Sequence, residues 1–133
     1  TQLADGSYVT VWMSAGEDGS GYGIYGRHFA ADGTPLSGEV RINAATANDQ
    51  HMPSVTALSG GGFVVTWGSY LQRGSNTYND IWMRRFDANM NPVDSGDVAM
   101  NTHYQDNYYY SKINQHSTKF TSFYIFLNYK FQT

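Results

Sequence analysis

An internal repeat is the feature that most constrains how this chain can fold. Residues 3–12 (LADGSYVTVW) are matched 55 positions later by residues 58–67 (LSGGGFVVTW). Residues 23–43 match residues 80–101 at an offset of 57, which one extra residue raises to 58 at the final asparagine. The residues that are identical at the offset of 57 include Ile24 and Ile81, Phe29 and Phe86, and Pro35 and Pro92. Repeated units of this kind bury their apolar faces on their neighbours.

The matches divide the 133 residues into three parts. Repeat unit 1 spans residues 3–57, repeat unit 2 spans residues 58–114, and residues 115–133 form a tail. The tail (QHSTKFTSFYIFLNYKFQT) contains no Gly, Pro, Ala, Asp or Glu, unlike the units before it. It is either a separate terminal strand or arm, or a segment that does not belong to the design of the repeat.

Each unit shows the period of two that is typical of β-strands. Residues 8–12 and 63–67 place aromatic and β-branched residues on both faces, which predicts strands that are covered on both sides. Residues 23–30 and 80–87 alternate in the same way and are expected to form the second strands. Third and fourth strands are expected at residues 39–43, 53–58, 97–101 and 108–113.

Turns rich in Gly, Asn, Asp and Pro separate these strands, as in residues 31–35 and 88–92. No segment shows a convincing helical period. Four short strands in a repeat of about 55 residues are typical of a β-propeller blade. The sequence therefore predicts an all-β fold of two tandem four-stranded propeller-like blades plus a C-terminal strand or arm.

Most of residues 3–67 also resembles a known repeat. The segments LADGSYVTVW, EDGSGYGIYGRHFAADGTPLSGEVRIN and TANDQHMPSVTALSGGGFVVTW are similar to a bacterial extracellular repeat of large secreted calcium-binding and adhesin-type proteins. The similarity is weaker over residues 80–113 and does not include the tail. It implies a secreted or cell-surface protein with propeller-like structure, and it suggests adhesion or carbohydrate contact. It supplies no catalytic residue.

Composition and spacing exclude several classes of protein. The absence of cysteine excludes a disulfide scaffold, a thiolate zinc site and a cysteine nucleophile. A net charge of −3 is too mild to imply nucleic acid or an anionic membrane surface as a partner. No stretch approaches the roughly 20 apolar residues that insertion across a membrane needs. The histidines lack zinc-binding spacing and the serines lack a G-x-S-x-G context, so we expect no enzyme.

Two blades do not close a ring, because propellers contain about four to eight blades. An isolated pair would expose edge strands and an apolar sheet face at each end. The chain is therefore either part of a longer array or a subunit that assembles with itself, as a ring or as a head-to-tail filament. In an assembly, the tail could add a strand to the edge of a neighbour.

Residues 17–23 form the sharpest local feature. Glu17, Asp18 and Ser20 offer carboxylate and hydroxyl oxygens on a glycine-rich loop, which are the ligands that calcium prefers. The alternative is a hairpin turn in which Asp18 binds its own backbone, and the second unit lacks both carboxylates. Asp49 and Asp106, which recur before the fourth strands, are expected to bind backbone N–H groups of the preceding loop.

Aromatic residues make up 16% of the chain and could provide platforms for the apolar faces of sugars. Trp82 and Tyr25 lie near side chains that can form hydrogen bonds with sugar hydroxyl groups. The predicted ligand-binding residues are therefore Trp82, Tyr25, Arg27, Asp80 and Asn79. The alternative for any one aromatic residue is packing at a strand edge.

Two functions follow from these features. The favoured one is a secreted, non-enzymatic binding module, lectin-like or adhesive, that acts as an oligomer. The alternative is a structural subunit of an extracellular filament or sheath, in which the repeat faces and the tail form the contacts.

Trp12 and Trp67 recur at the same strand position, so we expect them in the core of each blade.

Overall fold

The computed structural model describes residues 1–70 and 79–101, together with the backbone of two further strands. In this part of the chain the fold is all-β, as predicted, and contains no helix, hence none that could cross a membrane. The strands are β1 (Tyr8–Ala15), β2 (Tyr22–Phe29), β3 (Val40–Arg41), β4 (Gln50–Ala57), β5 (Phe63–Tyr70), β6 (Asn79–Phe86), β7 (Val98–Ala99), β8 (Tyr108–Gln115) and β9 (Phe123–Tyr129).

Three antiparallel sheets follow each other along the chain. Strands β1-β2-β3 form the first sheet, β4-β5-β6-β7 form the second sheet, and β8-β9 form a C-terminal hairpin that includes part of the tail. The second sheet has four strands, but not the four predicted for unit 2, because it contains β4 and lacks β8; the first sheet has three strands among the described residues. The reason is that β4, the predicted fourth strand of unit 1, pairs with β5 of unit 2.

The two sheets repeat the same aromatic contacts. Tyr8 stacks on Phe29 with ring centroids 5.3 Å apart and planes 11° from parallel. Phe63 stacks on Phe86 with centroids 5.2 Å apart and planes 7° from parallel. In both sheets the arginine two residues before the phenylalanine lies 5.6 Å from its ring centroid. The sequence repeat is therefore also a repeat of side-chain packing.

Buried asparagines repeat as well. The backbone N–H of Ile24 donates to Oδ1 of Asn43 over 2.7 Å, and that of Ile81 donates to Oδ1 of Asn101 over 2.9 Å. Both asparagines follow the short last strand of their sheet, and both are almost fully buried. Their side chains satisfy backbone donors that would otherwise be buried without a partner.

The turns after β2 and β6 are also equivalent. As predicted, residues 31–35 and 88–92 reverse the chain, and each proline bridges back to the last phenylalanine of the preceding strand. The left-handed position is Gly33 in the first turn, with φ of 89°. In the second turn it is Met90, with φ of 67°, although a methionine rarely adopts this conformation. Met90 is buried in the core, so tertiary packing holds it there.

The hydrophobic core lies between the first and second sheets. One face of the first sheet presents Val9, Ile24 and Ile42, and the facing side of the second sheet presents Phe63, Val65 and Trp67. All six are fully buried, and Leu3, Phe86 and Met90 extend the same cluster.

The two long central strands differ in how they are covered. Every residue of β5 except Tyr70 is buried, which confirms the prediction that residues 63–67 are covered on both sides. In β1, only Val9 is fully buried, while Thr10 is exposed and Trp12 is half-buried. The same prediction is therefore wrong for β1, because only one of its faces packs against another sheet among the described residues.

Candidate functional site

The five residues predicted to bind a ligand lie on two different sheets. Tyr25 and Arg27 lie on β2 of the first sheet, whereas Asn79, Asp80 and Trp82 lie on β6 of the second. Because successive residues of a strand point to opposite faces, the two adjacent β6 residues also point apart. The fold therefore does not bring the five side chains to one surface.

The polar members of this set are buried and bound within the chain. Asp80 is 5% exposed, and its Oδ1 accepts a hydrogen bond from Nδ2 of Asn101 over 2.7 Å. Asn79 is 7% exposed, and its Oδ1 lies 2.9 Å from Nε2 of His51. These interactions connect β6 to the segment after β7 and to β4. They stabilise the second sheet, as is usual for buried polar side chains.

The aromatic members also have structural surroundings. Trp82 is half-buried, lies directly opposite Trp67 in the β5-β6 pair, and packs against the core. Tyr25 is 6% exposed, and burial raises the pKa of its hydroxyl above the ordinary value. The carboxylates of Asp18 and Glu17 raise that pKa further, because they disfavour a nearby phenolate. Neither ring is a fully exposed platform.

The side chains of the three predicted metal ligands each accept a hydrogen bond from a different group of the chain. Oδ1 of Asp18 accepts the backbone N–H of Ser20 over 3.1 Å, as expected for a turn that is closed by its own aspartate. Glu17 accepts a hydrogen bond from the hydroxyl of Ser14, and Oγ of Ser20 accepts the N–H of Asn48 over 3.1 Å. Among the residues that the structure describes, no three His, Cys, Asp or Glu side chains could together hold a metal ion. Calcium at this loop stays a prediction.

Asp49 connects this loop to β4. Its Oδ1 accepts the N–H of Tyr22 over 3.0 Å, and a Cβ at Gly21 would lie only 1.9 Å from the same oxygen. The neighbouring Gln50 is fully buried and donates to the carbonyl oxygens of Ala47 and Asn48 over 2.9 and 3.2 Å. Asp49 therefore has the expected structural role, but toward the loop between β1 and β2. Asp106 lies outside the described residues.

The first sheet carries a face of which sequence reasoning identified only Tyr25 and Arg27. We name it the open face, and it consists of Tyr8, Thr10, Trp12, Arg27 and Phe29. The β1-β2 register places these on one side together with Tyr25, which lies opposite Trp12 and is 6% exposed. None of the five is buried. The corresponding residues of the second sheet include Phe63, Val65 and Trp67, all 0% exposed. The available signal was polarity, because Tyr8 and Thr10 stand where the second unit has Phe63 and Val65.

The equivalent arginines of the two sheets, Arg84 and Arg27, make different hydrogen bonds. Nη1 of Arg84 crosses between the sheets and donates to the carbonyl oxygen of Ile42 over 3.0 Å. Arg27 occupies the same position on the open face, and its Nε donates within its own sheet to the carbonyl oxygen of Ser37 over 3.0 Å. The second sheet thus uses its aromatic and arginine face to hold a neighbouring sheet.

A Ser-His-Asp cluster, in which Ser7 and His28 are buried and Asp5 is exposed, closes the turn before β1. Oγ of Ser7 donates to Oδ1 of Asp5 over 2.5 Å and lies 2.7 Å from Nε2 of His28. A hydroxyl has one proton, and here the carboxylate accepts it, so Nε2 of His28 must be the donor. A histidine that donates to the serine is not positioned to deprotonate it. The cluster stabilises the turn, and the second unit has Gly62 and Arg85 in place of Ser7 and His28.

An open cavity of about 470 Å³ lies between the turns that follow β4 and β6. At its edge, Nη2 of Arg85 lies 2.5 Å from Oδ1 of Asp94. Asp87 lines the cavity and accepts hydrogen bonds from Asn89 and Asn91 of its own turn. The charged groups of the cavity are therefore already bound by neighbours within the second sheet.

The stability of the protein should fall at acidic pH. Hydrogen bonds from Ser7, Asn91 and Arg85 hold the pKa values of Asp5, Asp87 and Asp94, respectively, below the ordinary value of 3.8. The stability that these carboxylates contribute is present above that value and is lost as the pH falls through the lower folded pKa values. We expect the melting temperature to drop as the pH falls below about 3.8.

Thermal melts from neutral to strongly acidic pH would measure this loss. Replacing Asp94 by Asn should make the acid dependence shallower, because that carboxylate no longer titrates. Glu39 acts in the opposite sense, since a hydrogen bond with Glu17 raises its pKa and its contribution falls as the pH rises. A melting temperature that rose steadily on acidification would contradict the assignment to the aspartates.

Comparison with known proteins adds no family to these observations. No protein-family model matches the chain. Neither the curated proteins nor the solved structures gave a significant match.

Proposed function

We propose that this protein is a secreted, non-enzymatic adhesive module, built of propeller-like blades, that acts as an oligomer. One observation carries the proposal: the face that holds the two sheets together in the second sheet is open in the first. Both faces have the same strand positions, the same stacked aromatic pair and the same arginine over a phenylalanine ring. When a partner removes a face of this composition from water, the free energy of the system falls, so binding is favoured.

The remaining polar residues favour a binding role over catalysis. Asn43, Asn101 and Gln50 are buried and satisfy backbone groups, and the Ser7-His28 contact has the wrong donor for a nucleophile. An active site holds groups whose proton affinity is perturbed toward a reaction, usually within a cleft. The polar contacts of the described residues instead support turns and sheet ends.

Molar mass in solution tests the oligomer. Light scattering on chromatographed protein should show species larger than the 14.9 kDa chain at micromolar concentration. A closed ring would give one discrete mass, whereas a head-to-tail filament would grow with concentration. A monomer at every concentration, with an intact β-sheet circular dichroism spectrum, would rule out both forms of assembly.

Carbohydrate is the second candidate ligand. We infer that its site is the open face, which shares only Arg27 with the five residues that the sequence suggested. Trp12 is half-buried on the same face as Arg27, so this face combines an aromatic ring with a donor for sugar hydroxyl groups. On a glycan array, we expect any binding to be lost in the Trp12→Ala variant and kept in Trp82→Phe, because Trp82 packs against the core.

The same array can reverse this assignment. Binding that survives Trp12→Ala and disappears in Trp82→Phe would place the sugar at the second sheet instead. An array without binding would leave protein-protein contact as the adhesive mechanism. Both variants need a wild-type circular dichroism spectrum, so that loss of binding is not loss of folding.

A further inference from the structure

We propose that the open cavity between the turns that follow β4 and β6 binds a small neutral polyol, such as a single sugar unit. A hydroxyl group of the ligand would stand where unit 1 has the hydroxyl group of Ser7. The site lies within the second sheet, so it uses neither the open face nor a second copy of the chain. It therefore goes beyond the proposed function and is tested separately from it.

The two units build this place from hydrogen-bonded turns of the same kind. The N–H of Leu3 donates to the carbonyl oxygen of Ser7 over 2.8 Å, and the N–H of Leu58 donates to that of Gly62 over 3.0 Å. The two pairs stand 55 positions apart. The turns opposite them, after β2 and β6, are equivalent as well. Unit 1 therefore indicates which groups the same place accepts in unit 2.

In unit 1, side chains of the chain itself occupy this place. The hydroxyl group of Ser7 donates to Asp5 over 2.5 Å and lies 2.7 Å from Nε2 of His28. The corresponding residues of unit 2 are Gly60, Gly62 and Arg85. The two glycines lack the side chains of Asp5 and Ser7, and a cavity of about 470 Å³ lies beside them. This volume is within the range of small-molecule sites.

The cavity keeps one donor and one acceptor for a ligand. Nε and Nη2 of Arg85 donate to Asp94, whereas Nη1 donates to no group among the described residues. Asp87 accepts the N–H groups of Asn89 and Asn91 at Oδ1 and one side-chain N–H at Oδ2, which is three of the roughly four hydrogen bonds that a carboxylate can accept. Arg85 and Asp87 both line the cavity.

This pair of groups is suited to a hydroxyl group. In unit 1, the hydroxyl group of Ser7 lies between a carboxylate that accepts from it and a nitrogen that donates to it. In unit 2, Asp87 offers the carboxylate and Arg85 the nitrogen, and none of the described residues that line the cavity has a hydroxyl group. Asp94 neutralises Arg85 while Asp87 stays negative, so the local charge disfavours an anion and favours a neutral ligand.

Apolar side chains complete the wall of the cavity. Leu58 and Ala88 are half-buried, Val93 is 61% exposed, and all three line the cavity. A sugar ring carries C–H groups on its faces and hydroxyl groups around its edge. Such a molecule places C–H groups on this wall while a hydroxyl group binds the polar pair, which is the usual division of a small-molecule site.

Saturation-transfer NMR with glucose, galactose and mannose tests the site, and glucuronate is the anionic control. We expect transfer to at least one neutral sugar and clearly less transfer to glucuronate. Gly60→Asp restores the carboxylate that unit 1 has at this place, so it should abolish the transfer. Gly60→Ala is the matched control and should keep it, because a Cβ at Gly60 would meet nothing within 4 Å.

A free sugar and the end unit of a glycan offer the same hydroxyl groups. Glycan-array binding that persists in Trp12→Ala and is lost in Trp12→Ala/Gly60→Asp would assign the glycan to the cavity. If array binding is already lost in Trp12→Ala while free sugars still bind the cavity, the free sugar is its ligand.

Several results would overturn the proposal. They are an absence of transfer to all three neutral sugars, stronger transfer to glucuronate than to any of them, and unchanged transfer in a Gly60→Asp variant with a wild-type circular dichroism spectrum. Transfer that disappears in Trp12→Ala instead would reject the cavity and support the open face. A chain that is monomeric throughout would contradict the proposed assembly, whereas the sugar titrations decide this site.

Discussion

Replacing Trp67 by alanine should lower the free energy of unfolding by about 3–5 kcal/mol, since proteins lose this much stability when a large aromatic side chain in the core is truncated. Trp67 is 0% exposed and packs between the first and second sheets. The variant would leave a cavity that the rigid sheet pair can only partly close. Urea or thermal unfolding followed by circular dichroism would measure the loss.

The matched control is Trp12→Ala, which removes the same residue from the same position of the first unit. Trp12 is half-buried on the open face, so its truncation should cost clearly less than that of Trp67. The comparison is made at low protein concentration, where copies do not cover the open face. Equal losses in the two variants would show that both faces are equally buried in solution and would contradict the open face.

Replacing Gly62 by alanine should destabilise the protein by about 2–4 kcal/mol, because a left-handed backbone and a steric clash add together. Gly62 has φ of 75°, a conformation that L-residues rarely adopt. An ideal Cβ at this position would lie 2.2 Å from the carbonyl oxygen of Phe86 and 3.0 Å from Cα of Asp87. Both atoms belong to the backbone, so the clash cannot be relieved by a side-chain rotation.

The neighbouring glycines provide graded controls. Gly61→Ala isolates the backbone contribution, because φ is 92° and a Cβ would meet nothing within 4 Å. Its expected cost is about 1–2 kcal/mol. Gly60 has open space and no positive φ, so Gly60→Ala should change the unfolding free energy by less than about 0.5 kcal/mol. An order in which Gly60→Ala costs the most would contradict the turn geometry.

Much of the fold could be predicted because strand and turn signals are local. The alternation in residues 63–67 and the turn residues 31–35 indicate the strands and turns that the structure contains. Met90 marks the limit of this reasoning. Gly33 indicates a left-handed backbone position in the first turn. Met90 has the same conformation at the equivalent place in the second turn, but a methionine does not indicate it in the sequence. Packing in the core overrides the local preference there.

The candidate site was less predictable than the fold. Asn79 and Asp80 are polar residues at the start of a strand, a pattern that is equally typical of an exposed rim and of buried hydrogen-bonded groups. The structure shows the second case, since Asp80 binds Asn101, 21 residues away. Alternation also predicts two faces for each strand without indicating which face a neighbouring sheet covers. For that reason Trp12 and Trp67 look alike in the sequence and differ in exposure.

The repeat, the all-β class and the places where the chain turns can be predicted from the residues alone, because they depend on side-chain period and on residues that favour tight turns. Long-range packing places β4 in the second sheet, and it buries one aromatic face while its counterpart stays open. Strand pairing and face burial depend on which elements from elsewhere in the chain lie alongside. A repeated sequence offers each unit the same surfaces, and its position in the stack determines which of them are covered.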